Sequence, residues 1–162
     1  MRLILMRHAK SDWSSGTTRD HDRPLNPRGT RAARAMGDWL RLHGYAPGQV
    51  LCSTATRTRD TLANLGLDAP VDYLPALYHA EPWDMLDALR GAAAPTVLMI
   101  GHNPGIGEFA SEIVEAAPNH PRFAAYPTCA TLVADFDGAD WRGVQPGMAR
   151  VVDFIVPRDL VD

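Results

Sequence analysis

The chain has 162 residues, of which 46% are hydrophobic, and this length suits one domain with a sizeable core rather than two. We therefore predict a single domain over residues 1–162. The formal net charge of −3 excludes a broad positive field that would hold nucleic acid or an anionic membrane nonspecifically, so any anionic ligand must be bound by local groups.

Short apolar runs without alternation predict strands that are buried on both faces of a parallel sheet. These runs lie at residues 3–6, 50–52 and 97–100. Apolar residues three or four apart, with cap and stop signals, predict helices at residues 27–43, 56–65, 82–89 and 104–116. Two further strands are predicted on either side of a turn-rich stretch, at residues 131–136 and 150–156.

The alternation of strands and helices predicts an α/β fold, a three-layer α/β/α sandwich around a largely parallel sheet. The pairing of the last two strands is left open, so the sheet is expected to be mixed. Ligands of such sheets bind outside the carboxyl ends of the strands. The residues that follow each apolar run are therefore the first candidates for a functional site.

Two arginines and two histidines follow three of these strands. Arg7 and His8 come directly after the first apolar run, Arg57 lies four residues beyond Ser53, and His102 follows the run at 97–100. A guanidinium binds two phosphate oxygens at once, so a pair of arginines suits a phosphate dianion. A neutral imidazole can attack phosphorus, and a protonated one can stabilise the phosphoryl oxygens. The pattern predicts phosphate chemistry.

Three motifs occur in the order that is found in the histidine phosphatase superfamily. They are Met-Arg-His-Ala at residues 6–9, Ser-Thr-Ala-Thr-Arg at 53–57 and Gly-His-Asn-Pro at 101–104. Lys-Ser-Asp-Trp at 10–13 and Asp-Arg-Pro-Leu at 22–25 resemble the phosphohistidine phosphatase branch of that superfamily. The resemblance spans nearly the whole chain, and it implies a phosphoglycerate mutase-like fold.

The resemblance also implies the roles of individual residues. His8 would accept the phosphoryl group, and Arg7, Arg57 and His102 would surround it. The resemblance also favours Arg23 as a further residue that contacts the substrate. The implied reaction has two steps, transfer to His8 and hydrolysis by water, and needs neither a metal nor another cofactor. The implied partner is a protein that carries phosphohistidine, or a small phosphoester, while the sequence does not indicate the oligomeric state.

The two histidines are expected to differ in protonation. His8 must be neutral with one ring nitrogen free, so we predict that its other nitrogen donates to a backbone carbonyl. Nearby arginine charges would disfavour its protonation. For His102 the protonated form is the useful one once phosphate is bound.

The proton donor is less clearly marked than the other groups. The resemblance implies an acidic residue between the second and third motifs, and Glu81 is our candidate because it precedes the helix predicted at Pro82. Asp84 and Asp87 are close enough to compete. An alkoxide leaving group needs protonation more than an imidazole does, so a phosphohistidine substrate would tolerate a poor acid.

Two other functions use the same residues. A phosphotransferase of the phosphoglycerate mutase kind, acting on small metabolites, would retain a doubly phosphorylated intermediate, for which the short chain offers no obvious enclosure. A non-catalytic module could bind phosphorylated partners in the same cationic site, although such a module has no need of a nucleophile such as His8.

The remaining features have ordinary structural interpretations. Ser53 is either a phosphate contact or the cap of the helix that carries Arg57, and we favour the cap. The charged loop at residues 19–23 is interpreted as a solvated loop that also rims the site. Cys52 and Cys129 lack metal-like spacing and are typical of reduced cysteines. Without a signal sequence or an apolar span of about 18 residues, we expect a cytoplasmic protein with no membrane partner.

Overall fold

A mixed six-stranded sheet forms the centre of the computed structural model, which describes residues 1–14 and 18–160. The strands are β1 Arg2–Arg7, β2 Gln49–Ser53, β3 Val71–Leu74, β4 Thr96–Gly101, β5 Thr131–Asp135 and β6 Arg150–Ile155. Their order across the sheet is β3-β2-β4-β1-β5-β6. The first four in this order are parallel, whereas β5 runs antiparallel to β1 and β6 antiparallel to β5. The two C-terminal strands therefore pair differently from the rest.

Helices cover both faces of the sheet. They are α1 Pro27–Leu42, α2 Thr56–Leu65, α3 Pro82–Arg90 and α4 Gly105–Ile113. Ile4 and Met6 of β1 pack in one core with residues of α1 and α2, while Leu3 and Leu5 pack in a second core with residues of α3 and α4. Because alternate side chains of the central strand enter opposite cores, β1 is apolar throughout. The predicted three-layer α/β/α fold is confirmed.

Local signals explain where α1 begins and ends. The side chain of Asn26 accepts a hydrogen bond from the backbone N–H of Gly29 at 2.8 Å, and Pro27 occupies the first helical position. Gly44, just beyond the helix, has a φ of 72°, a conformation that glycine adopts without strain.

Helix α4 ends three residues before the predicted boundary at Ala116. Val114 forms a parallel bridge with Ala149, and the backbone N–H of Glu115 donates to the Ala149 carbonyl at 2.8 Å. The backbone after Ile113 is therefore held by a distant segment rather than by another helical turn. No helix among the described residues combines the length and the apolar character that a bilayer crossing requires.

The pairing of β1 with β4 positions the candidate site. Arg7 and Gly101 are register partners at the carboxyl ends of these parallel strands, and the backbone N–H of His8 donates to the Gly101 carbonyl at 3.0 Å. His102 directly follows Gly101, the last residue of β4. The sheet thus holds both candidate histidines at one edge, as expected for a ligand site of this fold.

Candidate active site

His8 is buried at the end of β1 with one ring nitrogen engaged. Its Nδ1 lies 2.7 Å from the carbonyl oxygen of Ala9, which fixes Nδ1 as the protonated donor and Nε2 as the nitrogen with a lone pair. Within the described part of the chain, Nε2 has no hydrogen-bond partner. Burial, opposed by the Ala9 carbonyl and assisted by the charges of Arg7 and Arg57, lowers the pKa of His8 to about 3. The predicted backbone acceptor for the second ring nitrogen is confirmed.

His102 faces His8 but has a different partner. The two ring centroids are 5.3 Å apart, and Nε2 of His102 lies 2.8 Å from the Ser53 hydroxyl oxygen. Burial first, and then the neighbouring His8 and Arg57, lower the pKa of His102 to about 2. Its surroundings therefore favour a neutral ring until an anion offsets the local positive charge.

Arg7 and Arg57 place two guanidinium groups close enough to His8 for their charges to lower its pKa. Burial and the charge of Arg57 lower the pKa of Arg7, whose Nη1 donates to the Tyr126 carbonyl at 3.2 Å. Arg7 is half-buried, whereas Arg57, on the first turn of α2, is buried. We refer to Arg7, His8, Arg57 and His102 together as the cationic cup.

Three buried nitrogens of the cationic cup have no hydrogen-bond partner among the described residues. They are Nε of Arg7, Nε of Arg57 and Nδ1 of His102. A buried polar group without a partner is costly, because it has lost water and gained nothing in return. The cationic cup therefore presents unused polar groups beside the free nitrogen of His8.

Asp20 holds the outer side of Arg57. Its carbonyl and its Oδ2 accept from the Arg57 guanidinium at 2.8 and 3.2 Å, and Oδ2 also accepts from the Tyr78 hydroxyl. Its Oδ1 lies 3.1 Å from Nη2 of Arg23. The Tyr78 hydrogen bond and the two arginines lower the pKa of Asp20 to about 2, so Asp20 is a carboxylate that fixes both guanidinium groups.

Arg23 is buried in the wall beside the cationic cup. Its Nη1 donates to the Ser11 hydroxyl at 2.7 Å, and its guanidinium carbon lies 3.4 Å from the centroid of the Trp13 ring. Its charge contributes to the lowered pKa of His8. The loop at residues 19–23 is therefore tied to the site by Arg23 and Asp20 rather than being only a solvated rim.

Glu81 lies on a cleft of about 620 Å³ that Arg57, His102, Tyr78 and His79 also line. It is the residue before α3, as predicted, and its side chain is exposed. This placement brings a carboxylate to the same opening as the cationic cup. The role of Glu81 as a proton donor remains a prediction.

The two competing aspartates are placed differently. Oδ2 of Asp84 accepts from the backbone N–H of Glu81 at 2.9 Å, so this carboxylate caps the start of α3. Asp87 is exposed one turn further along the helix. Neither aspartate lines the cleft, so Glu81 is the one of the three candidates that does, and Glu108 and Glu112 of α4 also lie along it.

The interpretation of Ser53 as a helix cap is wrong. Ala55 precedes the first residue of α2, and that helix has no side-chain cap. The Ser53 hydroxyl instead contacts the His102 ring. Asp20 and Tyr78 were not predicted, because their only signal in the sequence is their closeness to Arg23 and to Glu81.

Comparisons with known proteins agree with this geometry. Residues 3–81 match the family model of the histidine phosphatase superfamily (branch 1). An uncharacterised protein of Mycobacterium tuberculosis (strain H37Rv) is 41% identical over 160 residues, covering 94% of this chain and 100% of that protein. A solved structure from Nakamurella multipartitia, provisionally assigned as phosphohistidine phosphatase SixA, has a TM-score of 0.86 at 36% identity and covers 96% of this chain and 95% of that one.

The chain belongs to the histidine phosphatase superfamily, branch 1, and the resemblance stated from the sequence is confirmed. Within that superfamily it is similar to SixA-type proteins. The phosphohistidine phosphatase SixA of Escherichia coli (strain K12) is 29% identical over 121 residues, which cover 70% of this chain and 74% of that protein. The phosphoglycerate mutase-like fold is confirmed by the similarity to solved structures such as the one from Nakamurella multipartitia, and the comparisons support a phosphatase.

Proposed function

We propose that this protein hydrolyses phosphohistidine on a protein partner through a covalent phosphate on Nε2 of His8. The observation that carries the proposal is the free Nε2 of a neutral, buried His8 beside the unpartnered nitrogens of Arg7, Arg57 and His102. An uncharged imidazole can donate its lone pair to phosphorus, and the surrounding cations suit the phosphoryl oxygens.

In the first step, Nε2 of His8 attacks the phosphorus in line with the bond to the substrate imidazole. The new bond joins Nε2 to phosphorus, the substrate P–N bond breaks, and its electron pair leaves on the substrate imidazole, which takes up a proton from Glu81 or from solvent. Arg7 and Arg57 balance the charge of the equatorial oxygens. His102 joins them in the protonated form, because the phosphate dianion raises its affinity for a proton.

In the second step, water attacks the phosphorus from the side that the substrate imidazole has left. The Nε2–phosphorus bond breaks, its electron pair returns to the His8 ring, and the proton of the attacking water passes to the released phosphate or to solvent. The Ala9 carbonyl holds the proton on Nδ1 throughout both steps. The positive charge that both transition states need comes from the protein, so the proposed mechanism invokes no metal or cofactor.

Two observations support phosphohistidine as the substrate. Between α2 and β4 the chain forms only β3, one short 3₁₀ turn and α3, so this region adds no lid over the cleft, and the side chain of a second protein can enter. The acid candidate Glu81 is exposed, which suits an imidazole leaving group better than an alkoxide. The relatives that carry the SixA name point to the same class of substrate.

The test is a rapid-quench experiment with a phosphorylated histidine peptide under basic quench conditions that preserve phosphoramidates. We expect an acid-labile, base-stable phosphoprotein in the wild type and none in His8→Ala, with turnover lower by at least about 10³-fold. The matched control is His43→Ala, an exposed histidine outside the site, which should retain the adduct. Unchanged turnover in His8→Ala would refute the mechanism.

A further inference from the structure

A second group of cations lies on the surface outside the cationic cup. A pocket of about 160 Å³ is bordered by basic residues from four separate segments of the chain. They are Lys10 after β1, Arg28 on α1, Arg122 in the loop before β5 and Arg158 after β6. We call these four residues and the space between them the basic pocket.

None of the four side chains forms an ion pair or a hydrogen bond with another described residue. The nearest carboxylate along the chain is Asp159, which accepts from His120 at 2.9 Å and from the backbone N–H of Val156 at 3.0 Å. Four unpaired cations repel one another at low salt. Their convergence stands out in a chain whose formal net charge is −3.

The basic pocket adjoins the segment that carries the nucleophile. Lys10 is two residues beyond His8, so their Cα atoms are separated by at most about 7 Å. Thr128, which also lines the pocket, precedes Cys129, and the Cys129 N–H donates to the His8 carbonyl at 3.0 Å. The basic pocket therefore lies next to the backbone of His8, within reach of residues that flank a phosphohistidine bound there.

We propose that the basic pocket binds an acidic segment of the phosphoprotein substrate, next to its phosphohistidine. This inference rests on the proposed function, and it adds a preference for Glu or Asp near the modified histidine. Lys10, Arg28 and Arg158 are exposed, as is typical of charges at the rim of a protein interface, which steer encounter and choose the partner. Sites for small ions are instead built from buried, hydrogen-bonded groups.

The shape of the basic pocket also favours carboxylate side chains on a peptide. Ala32, Pro127 and Val156 form apolar parts of its lining, against which the methylene groups of Glu can pack while the carboxylate meets an arginine. The four cations stand on separate segments, so they can contact several carboxylates in succession.

The test uses two fluorescein-labelled peptides of equal length that carry an unphosphorylated histidine flanked by Glu or by Gln. Binding is measured by anisotropy at low salt for the wild type, for Arg28→Gln/Arg158→Gln and for Arg34→Gln. Arg34 is a matched control because it is an exposed arginine on α1 that does not line the pocket. The phosphohistidine forms of both peptides supply kcat/KM, with phosphoramidate turnover as the reference for each variant.

We expect the wild type and Arg34→Gln to prefer the Glu peptide by about 10-fold, and the double variant by about 2-fold or less. The preference should appear mainly in KM and shrink as salt is added. Equal binding of the two peptides by the wild type, or an undiminished preference in the double variant, would overturn the inference. So would cosedimentation with phosphatidylserine vesicles in the absence of any peptide preference.

The two proposals fail in different ways. If the phosphohistidine peptides are not hydrolysed, the proposed function fails while the anisotropy measurement still decides the inference. If both peptides are hydrolysed equally well and bind equally, the inference fails while the proposed function stands.

Discussion

The cationic cup and the basic pocket are both clusters of positive charge, yet the fold treats them differently. Arg57 is 6% exposed and is held by the carbonyl and carboxylate of Asp20, whereas Arg158 is exposed and has no partner in the described chain. Burial lowers the pKa of His8 and His102 in the cup. Arg57 in the cup is thus buried and held by hydrogen bonds, while Lys10, Arg28 and Arg158 of the basic pocket are exposed.

The number of cations therefore does not decide what a basic cluster does. Groups that are fixed before the ligand arrives need no reorganisation during a reaction, and they act at full strength where water is excluded. Exposed charges are screened by water and salt, so each contributes little affinity but guides a charged partner. Chemistry is therefore expected in the cup and partner selection in the pocket.

The largest expected contrast is between one arginine of each cluster. Arg57→Ala should lower kcat by about 10²- to 10³-fold, because it removes charge from the buried phosphoryl site. Arg158→Ala should change kcat for phosphoramidate by less than about 3-fold. Steady-state kinetics with phosphoramidate measures both. Similar losses in the two variants would erase the distinction between the clusters.

Glu81→Gln tests whether Glu81 donates a proton to the leaving group. We expect kcat for an alkyl phosphate to fall by about 10²-fold, because an alkoxide needs a proton as it leaves, while kcat for a phosphohistidine peptide changes little. The control is Asp87→Gln, an exposed carboxylate outside the cleft. If Glu81→Gln kept the wild-type kcat on both substrates, Glu81 would be excluded as the proton donor.

Burial of the two cup histidines predicts a pH dependence of stability. Their pKa values of about 3 and about 2 lie below the ordinary 6.5, so the unfolded chain binds more protons than the folded one below pH 6.5. The free energy of unfolding should therefore fall as the pH drops from about 6.5 towards 3, by up to about 1.4 kcal/mol per pH unit for each histidine.

Urea unfolding of the wild type, His8→Asn and His102→Asn between pH 7.5 and 4.5 measures this dependence. Each variant should have a shallower slope than the wild type, because one proton-linked group is missing. Parallel slopes in all three proteins would mean that the histidines are not held neutral by the fold.

The smallest expected effect concerns the support of the cup. Asp20→Asn removes the carboxylate charge that aligns Arg57 and Arg23, so we expect kcat to fall by about 3- to 10-fold with a smaller change in KM. Asp22→Asn, which alters an exposed carboxylate on the same loop, is the control. A loss in Asp22→Asn as large as in Asp20→Asn would assign the effect to the loop as a whole.

Much of the fold could be predicted because its signals are local. The apolar run of β1, the cap at Asn26 and the stop at Gly44 each depend on a few neighbouring residues. The end of α4 could not be predicted, because Val114 leaves the helix to bridge Ala149, 35 residues away in the chain. Long-range pairing overrode a pattern that locally permits another helical turn.

In the candidate site, too, residues with local signals could be predicted and residues with distant partners could not. His8 and His102 could be named from motifs at strand ends, whereas the partners that hold the cup could not. Ser53 meets a ring 49 residues away, and Asp20 meets Arg57 and Tyr78 at separations of 37 and 58 residues. A hydroxyl or carboxylate has many possible local partners, so only the folded arrangement shows which one it takes.

The proposed mechanism places the phosphate on one particular nitrogen of the His8 ring. Because Nδ1 donates a hydrogen bond to the Ala9 carbonyl oxygen, we expect ³¹P and ¹⁵N NMR of the trapped phosphoprotein to show phosphate on Nε2 of His8 alone. Phosphate on Nδ1, or on another residue with turnover intact in His8→Ala, would contradict it.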